Sequence, residues 1–154
     1  MISEIVVASL LKKAKEDHIE KIVVGGLISK SNKILLLERR ENDFMGGIFE
    51  LPSGNLEKDE TLLDGLKREV REETGLEVIE VVKLIDSFDY LSGSGKKARQ
   101  FNFYVKVADG KLQLSEHSTY AWSKHGDEHY LRTTDSVKKT IQAYLNNSNI
   151  QHES

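Results

Sequence analysis

Residues 54–76 constrain this chain more than any other segment, because a helix within them would carry three neighbouring carboxylates. A helix advances about 100° per residue, so Glu69, Glu72 and Glu73 fall on one side of it. Like charges at this spacing repel one another by roughly a few tenths of a kcal/mol per pair. A solvated surface tolerates that repulsion, whereas a divalent cation turns it into binding, since Mg²⁺ prefers oxygen ligands. The residue types alone leave both interpretations open.

The same segment holds the signals for a helix over about 60–74. Apolar residues recur every four positions, at Leu62, Leu66 and Val70. This stripe predicts a buried face that anchors the helix to a sheet. Gly75 stands where helices commonly end. At the other end, we expect Gly54 to supply a backbone conformation that other residues avoid.

The rest of the pattern predicts a mixed sheet flanked by helices, an α/β (α+β) fold. Strand-like runs lie at 21–29, 33–40, 77–90, 99–107 and 118–123. The Ser31-Asn32 pair predicts a hairpin turn. Residues 41–59 contain the only proline and are expected to form a long loop. A last helix is predicted over 135–146.

The N-terminal residues predict an amphipathic helix over 2–17. Its apolar positions at helical spacing are Ile2, Ile5, Val6, Leu10 and Ala14. We expect this helix to pack on the domain, with a homodimer contact as the alternative. The predicted organisation is therefore an appended helix (1–18), one domain (19–146) and a flexible tail (147–154).

Composition excludes several classes of function. The net charge of −3 provides no global positive field for a nucleic acid polymer. The chain has no cysteine, which excludes thiolate metal sites and disulfides and favours a cytoplasmic location. The apolar run 5–11 is too short to span a membrane. A small phosphorylated ligand remains compatible with all of these observations.

Taken with its full spacing, the segment resembles the Nudix box, G-x5-E-x7-R-E-U-x-E-E-x-G-U, where U is a bulky aliphatic residue. All nine specified positions match, at Gly54, Glu60, Arg68, Glu69, Val70, Glu72, Glu73, Gly75 and Leu76. The preceding residues 47–54 and the segment 115–122 are also similar to family members. The resemblance covers about residues 20–145 and implies a Nudix-type α/β/α sandwich with a mixed sheet. It implies a hydrolase that cleaves the pyrophosphate linkage of a nucleoside diphosphate derivative.

The resemblance also implies a metal site. Glu69, Glu72 and Glu73 would bind Mg²⁺ or Mn²⁺, with the Gly54 carbonyl as a further ligand. The metal would neutralise the diphosphate and lower the pKa of a bound water. Glu69 or Glu72 could instead orient or deprotonate that water, and the sequence does not separate these duties.

Residues near the box receive roles by the same resemblance. Glu116 is a candidate catalytic carboxylate, with an exposed loop residue as the alternative. Its neighbour His117 could contact phosphate, act as a base, or be an ordinary surface histidine. Arg68 and Glu60 would form a structural second shell that holds the loop to the helix. The candidate substrate-binding residues are Arg39, Arg40, Glu50 and Phe49. The alternatives are surface charges for the two arginines, which end a strand near the box, and an ordering role in the loop for Glu50.

The substrate is less constrained than the chemistry. Phe44, Phe49, Phe101, Phe103, Tyr120 and Trp122 are the aromatic residues considered for stacking on a base, although Phe101 and Phe103 fit a core better. The proline that marks ADP-ribose enzymes beyond the box is missing, which favours a nucleoside triphosphate, normal or oxidised. The alternatives are an ADP-ribose, nucleotide-sugar or dinucleoside polyphosphate hydrolase, a non-catalytic nucleotide-binding module, or an acidic partner-binding domain.

Overall fold

A seven-stranded mixed sheet lies between helices in the computed structural model, which describes residues 1–41 and 46–153, with side chains through residue 147. The strands are β1 (Lys21–Lys30), β2 (Lys33–Arg39), β3 (Phe49–Glu50), β4 (Ser53–Asn55), β5 (Val78–Leu91), β6 (Lys97–Val107) and β7 (His117–Ser123). The helices are α1 (Glu4–Glu16), α2 (Leu62–Thr74), α3 (Glu128–Leu131) and α4 (Asp135–Glu153).

The sheet follows the order β3-β2-β1-β6-β5, with β4 paired to β1 and β7 paired to β2. The β1 and β6 strands run parallel, and the other pairs are antiparallel. The turn predicted at Ser31 and Asn32 joins β1 to β2, and both residues have positive φ angles, 52° and 64°. The mixed sheet between helices confirms the predicted fold class.

Alternation along the central strands divides the core into two layers. On one face, Phe101 and Phe103 of β6 pack in the cluster that contains the α2 stripe of Leu62, Leu66 and Val70. On the other face, the buried cluster consists of Leu27, Ile34, Leu36, Phe49, Leu51, Ile141 and Tyr144. Successive strand residues point to opposite faces, so one sheet serves both helix layers.

Helix α1 packs on the domain, but not through all of the predicted residues. Val7 and Ala14 are buried, whereas Ile5 is 83% exposed and Val6 is 51% exposed. The prediction that Ile5 and Val6 point inward was wrong. The inward face follows the spacing Val7, Leu10, Leu11 and Ala14, which tertiary contact with α2 and β5 selects from a helix with several apolar positions.

Four short or terminal elements differ from the sequence-based expectation. The predicted loop contains β3 and β4, because strands of two and three residues are too short to produce an alternating pattern. The four-residue helix α3 was also missed. Helix α4 continues to Glu153 rather than ending near residue 146, since no glycine or proline interrupts residues 135–153.

Within the described residues, no helix combines the length and the apolar character needed to cross a membrane.

Candidate active site

Helix α2 presents the three carboxylates at the edge of the sheet. The helix begins after Thr61, whose Oγ1 accepts a hydrogen bond from the Asp64 backbone N–H at 3.1 Å. It ends at Gly75, which adopts a left-handed conformation with φ 76°. Because the apolar stripe fixes the helix rotation, the carboxylates emerge on one side.

The three carboxylates differ in exposure. The side chains of Glu69 and Glu73 are 13% and 9% exposed, whereas that of Glu72 is 55% exposed. Burial raises the pKa of Glu69, with the Arg68 guanidinium opposing this and Glu72 and Glu116 adding to it. Burial also raises the pKa of Glu73 to about 8, despite the hydrogen bond from the Ser53 backbone.

Arg68 lies at the centre of this acidic group and holds several parts of the site together. Its Nε and Nη2 donate to both oxygens of Glu60, at 2.7 and 2.8 Å. Its Nη1 donates to Glu69 at 2.8 Å and to Glu72 at 3.2 Å. Its Nη2 also donates to the Asn55 carbonyl at 3.0 Å. One planar guanidinium thus joins strand β4, the following loop and helix α2.

Glu60 extends the same network into the loop. Its Oε1 accepts a hydrogen bond from the Glu57 backbone N–H at 2.8 Å. The hydrogen bond from Arg68 is the main reason that the pKa of Glu60 lies below its usual value. These contacts are the ones that the predicted structural roles of Arg68 and Glu60 require.

Gly54 is required for a different reason from the one expected. Its φ angle is not positive, and it pairs with Val24 as part of strand β4. A Cβ atom at this position would overlap the Glu69 carboxylate. The expectation of a special backbone conformation was therefore wrong, and close approach of β4 to α2 is what excludes a side chain.

A second series of contacts connects strands β2, β3 and β7 to helix α2 at the other end of the site. Arg39 Nε donates to Glu50 Oε1 at 2.8 Å, and Glu50 Oε2 lies 2.8 Å from His117 Nε2. Glu73 Oε2 lies 3.4 Å from His117 Nδ1, and Glu73 Oε1 accepts from the Ser53 N–H at 2.8 Å. Burial raises the pKa of Glu50, but His117 and Arg39 outweigh that effect and lower it overall.

The interpretation of His117 as an ordinary surface histidine was wrong, because the residue is only 7% exposed and lies between two carboxylates. Glu116 is exposed, and its charge contributes to the raised pKa values of Glu69 and Glu73. It therefore lies near the same acidic group, immediately before β7.

The remaining predicted substrate residues differ in exposure. Arg40 is exposed and donates to the Ser115 carbonyl at 2.8 Å. Phe49 is only 3% exposed, with the His129 ring 5.0 Å and the Arg132 guanidinium 4.8 Å from its ring centre. A base therefore has no open face of Phe49 to stack on, and the structure assigns this ring to the core. Phe44 lies outside the described residues.

The carboxylates are not gathered as a preformed metal centre. Within residues 1–41 and 46–153, no group of three or more histidine, aspartate or glutamate side chains is close enough to hold an ion. Arg68 Nη1 instead lies 2.8 Å from Glu69 and 3.2 Å from Glu72. The donor chemistry nevertheless fits a hard cation, since the Glu69 carboxylate lies against the side-chain-free position of Gly54 and Glu72 and Glu73 carry further carboxylate oxygens on the same helix.

A cleft of about 670 Å³ opens beside the acidic group. Arg39, Glu50, Ser53 and Gly54 line the end nearest to α2. The residues that line the rest include Phe88 and Tyr90 of β5, Gln100 and Asn102 of β6, and Thr134, Ser136, Val137 and Thr140 at the start of α4. A second group could thus lie beyond a phosphate placed near Gly54.

Buried hydrogen bonds hold the floor of this cleft. Asn102 is 1% exposed, donates to Asp86 at 2.9 Å and to Thr140 at 3.2 Å, and accepts from Gln100 at 2.9 Å. Thr140 Oγ1 donates to Asp86 at 2.8 Å. These bonds tie β5 and β6 to α4, so that the cleft has a rigid polar floor.

Sequence reasoning missed these cleft residues. Phe88 and Tyr90 have ring centres 5.9 Å apart and are partly exposed, unlike the buried Phe101 and Phe103. The available signal was a period of two in which one face of β5 carries Asp86, Phe88 and Tyr90 rather than aliphatic residues. Such a mixed face indicates a lined cleft instead of a core.

Comparison with known families identifies this architecture. The model of the NUDIX domain matches residues 20–143, which include every element of the site described above. The chain belongs to the NUDIX domain family. The prediction of a Nudix family hydrolase is therefore confirmed, and helix α1 lies outside the matched region.

Curated relatives carry pyrophosphohydrolase names. The ADP-ribose pyrophosphatase of Methanocaldococcus jannaschii is 49% identical over 55 residues, covering 36% of this chain and 32% of the relative. The 8-oxo-dGTP diphosphatase of Buchnera aphidicola is 29% identical over 65% of this chain and 74% of the relative. The CTP pyrophosphohydrolase of Escherichia coli (strain K12) is 33% identical over 65% of this chain and 73% of the relative.

Solved Nudix structures share the fold. The MutT protein from Methanosarcina mazei superposes with a TM-score of 0.69 at 28% identity, over 82% of this chain and 94% of that chain. The E. coli ORF135 protein has a TM-score of 0.68 at 27% identity, over 84% of this chain and 91% of that chain.

Replacing Arg68 by lysine tests its holding role. Lysine keeps the charge but loses the planar fork, so the paired bond to Glu60 cannot be rebuilt. The free energy of unfolding, measured by urea titration without metal, should fall by about 1–3 kcal/mol. The matched control Arg71→Lys alters an exposed arginine and should change it by less than about 0.5 kcal/mol. Equal stabilities would contradict the role.

Proposed function

We propose that this Nudix protein is a divalent-metal-dependent pyrophosphohydrolase for nucleoside triphosphates, normal or oxidised. The observation that carries the proposal is the cleft that runs from Gly54, which lies against the Glu69 carboxylate of α2, to the polar floor of β6. A triphosphate at the box end leaves its nucleoside within reach of Phe88 and Gln100. The proposal is a small-molecule reaction, with neither a nucleic acid polymer nor a membrane as partner.

The metal ligands in this proposal are Glu69, Glu72 and Glu73, with the Gly54 carbonyl as a further oxygen. When bound, Mg²⁺ or Mn²⁺ would neutralise the phosphates and make a water molecule more acidic. Binding requires Glu69 and Glu72 to exchange their contacts with Arg68 Nη1 for the cation, because they share that donor. The bidentate bond to Glu60 keeps the guanidinium in place while they do so.

Other residues of the site are proposed to bind the phosphates and to activate the attacking water. Arg39 lies at the box end of the cleft and supplies positive charge for a phosphate, while Glu50 fixes its orientation. Arg40 is exposed beside the same strand end and remains a predicted phosphate contact. Glu69, Glu72 and Glu116 remain the candidates for orienting or deprotonating the attacking water. The Glu72 and Glu116 side chains are the more exposed of the three, as proton exchange with solvent requires.

The exposed face of α1 supports a proposal about assembly. A homodimer would bury Ile5 and Val6, which α1 leaves exposed. Light scattering of the full chain should give twice the monomer mass, and Ile5→Glu should return it to one chain. A monomeric mass for the unmodified chain would reject the dimer.

We also propose a cytoplasmic location, because a chain without cysteine fits a reducing compartment.

Replacing Glu72 by glutamine tests the hydrolase. Pyrophosphate released from a nucleoside triphosphate is converted by added pyrophosphatase and measured as phosphate, with Mg²⁺ or Mn²⁺. Loss of the carboxylate should lower kcat/KM by about 10²–10⁴-fold. Glu77→Gln, at an exposed glutamate outside the box helix, should leave turnover unchanged. Equal rates for Glu72→Gln and the unmodified chain would contradict the assignment.

The same assay decides among substrates. ADP-ribose, nucleotide sugars and dinucleoside polyphosphates belong in the panel, with a phosphatase added for their monophosphate products. The ADP-ribose pyrophosphatase relative favours the first of these as the second candidate. Metal-dependent turnover of ADP-ribose alone would replace the triphosphate proposal. Metal binding by folded protein without any turnover would favour a binding module.

Replacing Phe88 by leucine tests the nucleoside end of the cleft. Stacking of a base on an aromatic ring is worth about 1–3 kcal/mol, so KM should rise about fivefold or more while kcat changes little. Tyr120→Leu removes an aromatic ring that is 44% exposed and lines a different surface, and it should not change KM. An unchanged KM for Phe88→Leu would place the nucleoside elsewhere.

A further inference from the structure

His117 is a buried residue of the site to which the proposed function gives no task. Its side chain is 5% exposed, and its ring lies between two carboxylates. Nε2 is 2.8 Å from Glu50 Oε2, and Nδ1 is 3.4 Å from Glu73 Oε2. Glu50 faces the cleft, whereas Glu73 belongs to the box helix.

An irregularity in strand β7 directs this ring inward. Along the β2–β7 pair, Glu38 lies opposite Thr119 and Arg39 lies opposite His117, so one step on β2 matches two on β7. Ser118 is the extra residue, and both Ser118 and Thr119 are exposed while His117 is buried. A bulge beside a site commonly re-aims one side chain. With regular pairing, Arg39 would lie opposite Ser118 instead of His117.

The Nδ1 atom is also unusual in its bonding. Among the described residues, it is the only buried side-chain nitrogen or oxygen without a hydrogen-bond partner. Leaving a buried polar atom unpaired costs free energy, so such atoms are rare unless they have a further use. Here the nearest carboxylate oxygen is already within 3.4 Å, and a small movement of Glu73 would complete the bond.

We infer that His117 is a positioning residue that holds Glu73 in place for the metal and couples it to the cleft through Glu50. The contact of Nε2 with Glu50 sets the ring, and Nδ1 restrains the second oxygen of Glu73. The first oxygen is already bound by the Ser53 N–H, so both oxygens of Glu73 are then held from opposite sides. Arg39 and Glu50 place the other end of this chain beside the substrate phosphates. The inference rests on the proposed function, since Glu73 is a metal ligand only within it.

Three substitutions separate this role from simple packing. His117→Phe keeps an aromatic ring but removes both nitrogens. His117→Asn keeps a polar atom near the position of Nδ1, on the side of Glu73. His117→Gln keeps one near the position of Nε2, on the side of Glu50. His125→Phe is the matched control, because His125 is exposed and contacts Tyr130 instead of the acidic group.

The primary measurement is Mn²⁺ affinity, determined by calorimetry on the full chain without substrate. His117→Phe should weaken binding by about 10–100-fold, as loss of a residue that orients a metal ligand does. His117→Asn should recover most of that loss, His117→Gln should recover less, and His125→Phe should match the unmodified chain. At saturating metal, kcat should fall in His117→Phe while KM changes by less than about threefold.

The outcomes distinguish this inference from the proposed function. If the unmodified chain hydrolyses its substrate and His117→Phe binds Mn²⁺ within about twofold of it, the positioning role is overturned and the hydrolase stands. The same holds if His117→Asn binds no better than His117→Gln, a comparison that remains available if His117→Phe does not fold. A chain that neither binds Mn²⁺ nor hydrolyses any substrate overturns both.

Discussion

The paired bond from Arg68 to Glu60 is the interaction on which the rest of the site depends. The carboxylates of α2 are spaced so that they repel one another. Without a positive charge between them, they would favour an open, solvated arrangement. Arg68 offsets that repulsion and at the same time binds the Asn55 carbonyl. The loop before the helix is therefore held against it, and the position of Gly54 relative to Glu69 follows.

A second set of contacts, Arg39–Glu50–His117–Glu73, holds the opposite side of the site together. Each member comes from a different element, β2, β3, β7 and α2. In this series of contacts, each carboxylate lies beside an arginine or a histidine. Each buried carboxylate therefore has a partner that reduces the free-energy cost of burying its charge. The two networks meet on α2, where Glu69 and Glu73 lie one turn apart.

Sheet topology explains why the cleft lies where it does. The parallel β1–β6 pair brings Gly25 opposite Asn102, and β5 adds Asp86 on the far side. Polar residues of β5, β6 and α4 therefore share one floor beside the box. Helix α1 packs on the other layer, beside α2, and does not line the cleft.

The sequence by itself determined the fold class and the acidic side of the box helix, because both follow from local periodicity. The spacing of Glu69, Glu72 and Glu73 against Leu62, Leu66 and Val70 needs only a helix to become an acidic edge on a packed element. The strands β1, β2, β5 and β6 could be predicted for the same reason, since each is long enough to express a pattern.

Tertiary structure alone decided the partners of those residues. The burial of His117 depends on a bulge, the enclosure of Phe49 depends on Arg132 and His129, and the inward face of α1 depends on what it meets. The floor formed by Asp86, Asn102 and Thr140 joins residues up to 54 positions apart in the chain. Periodicity reports which face of an element is apolar, but the contact across that face is set only when distant segments pack together.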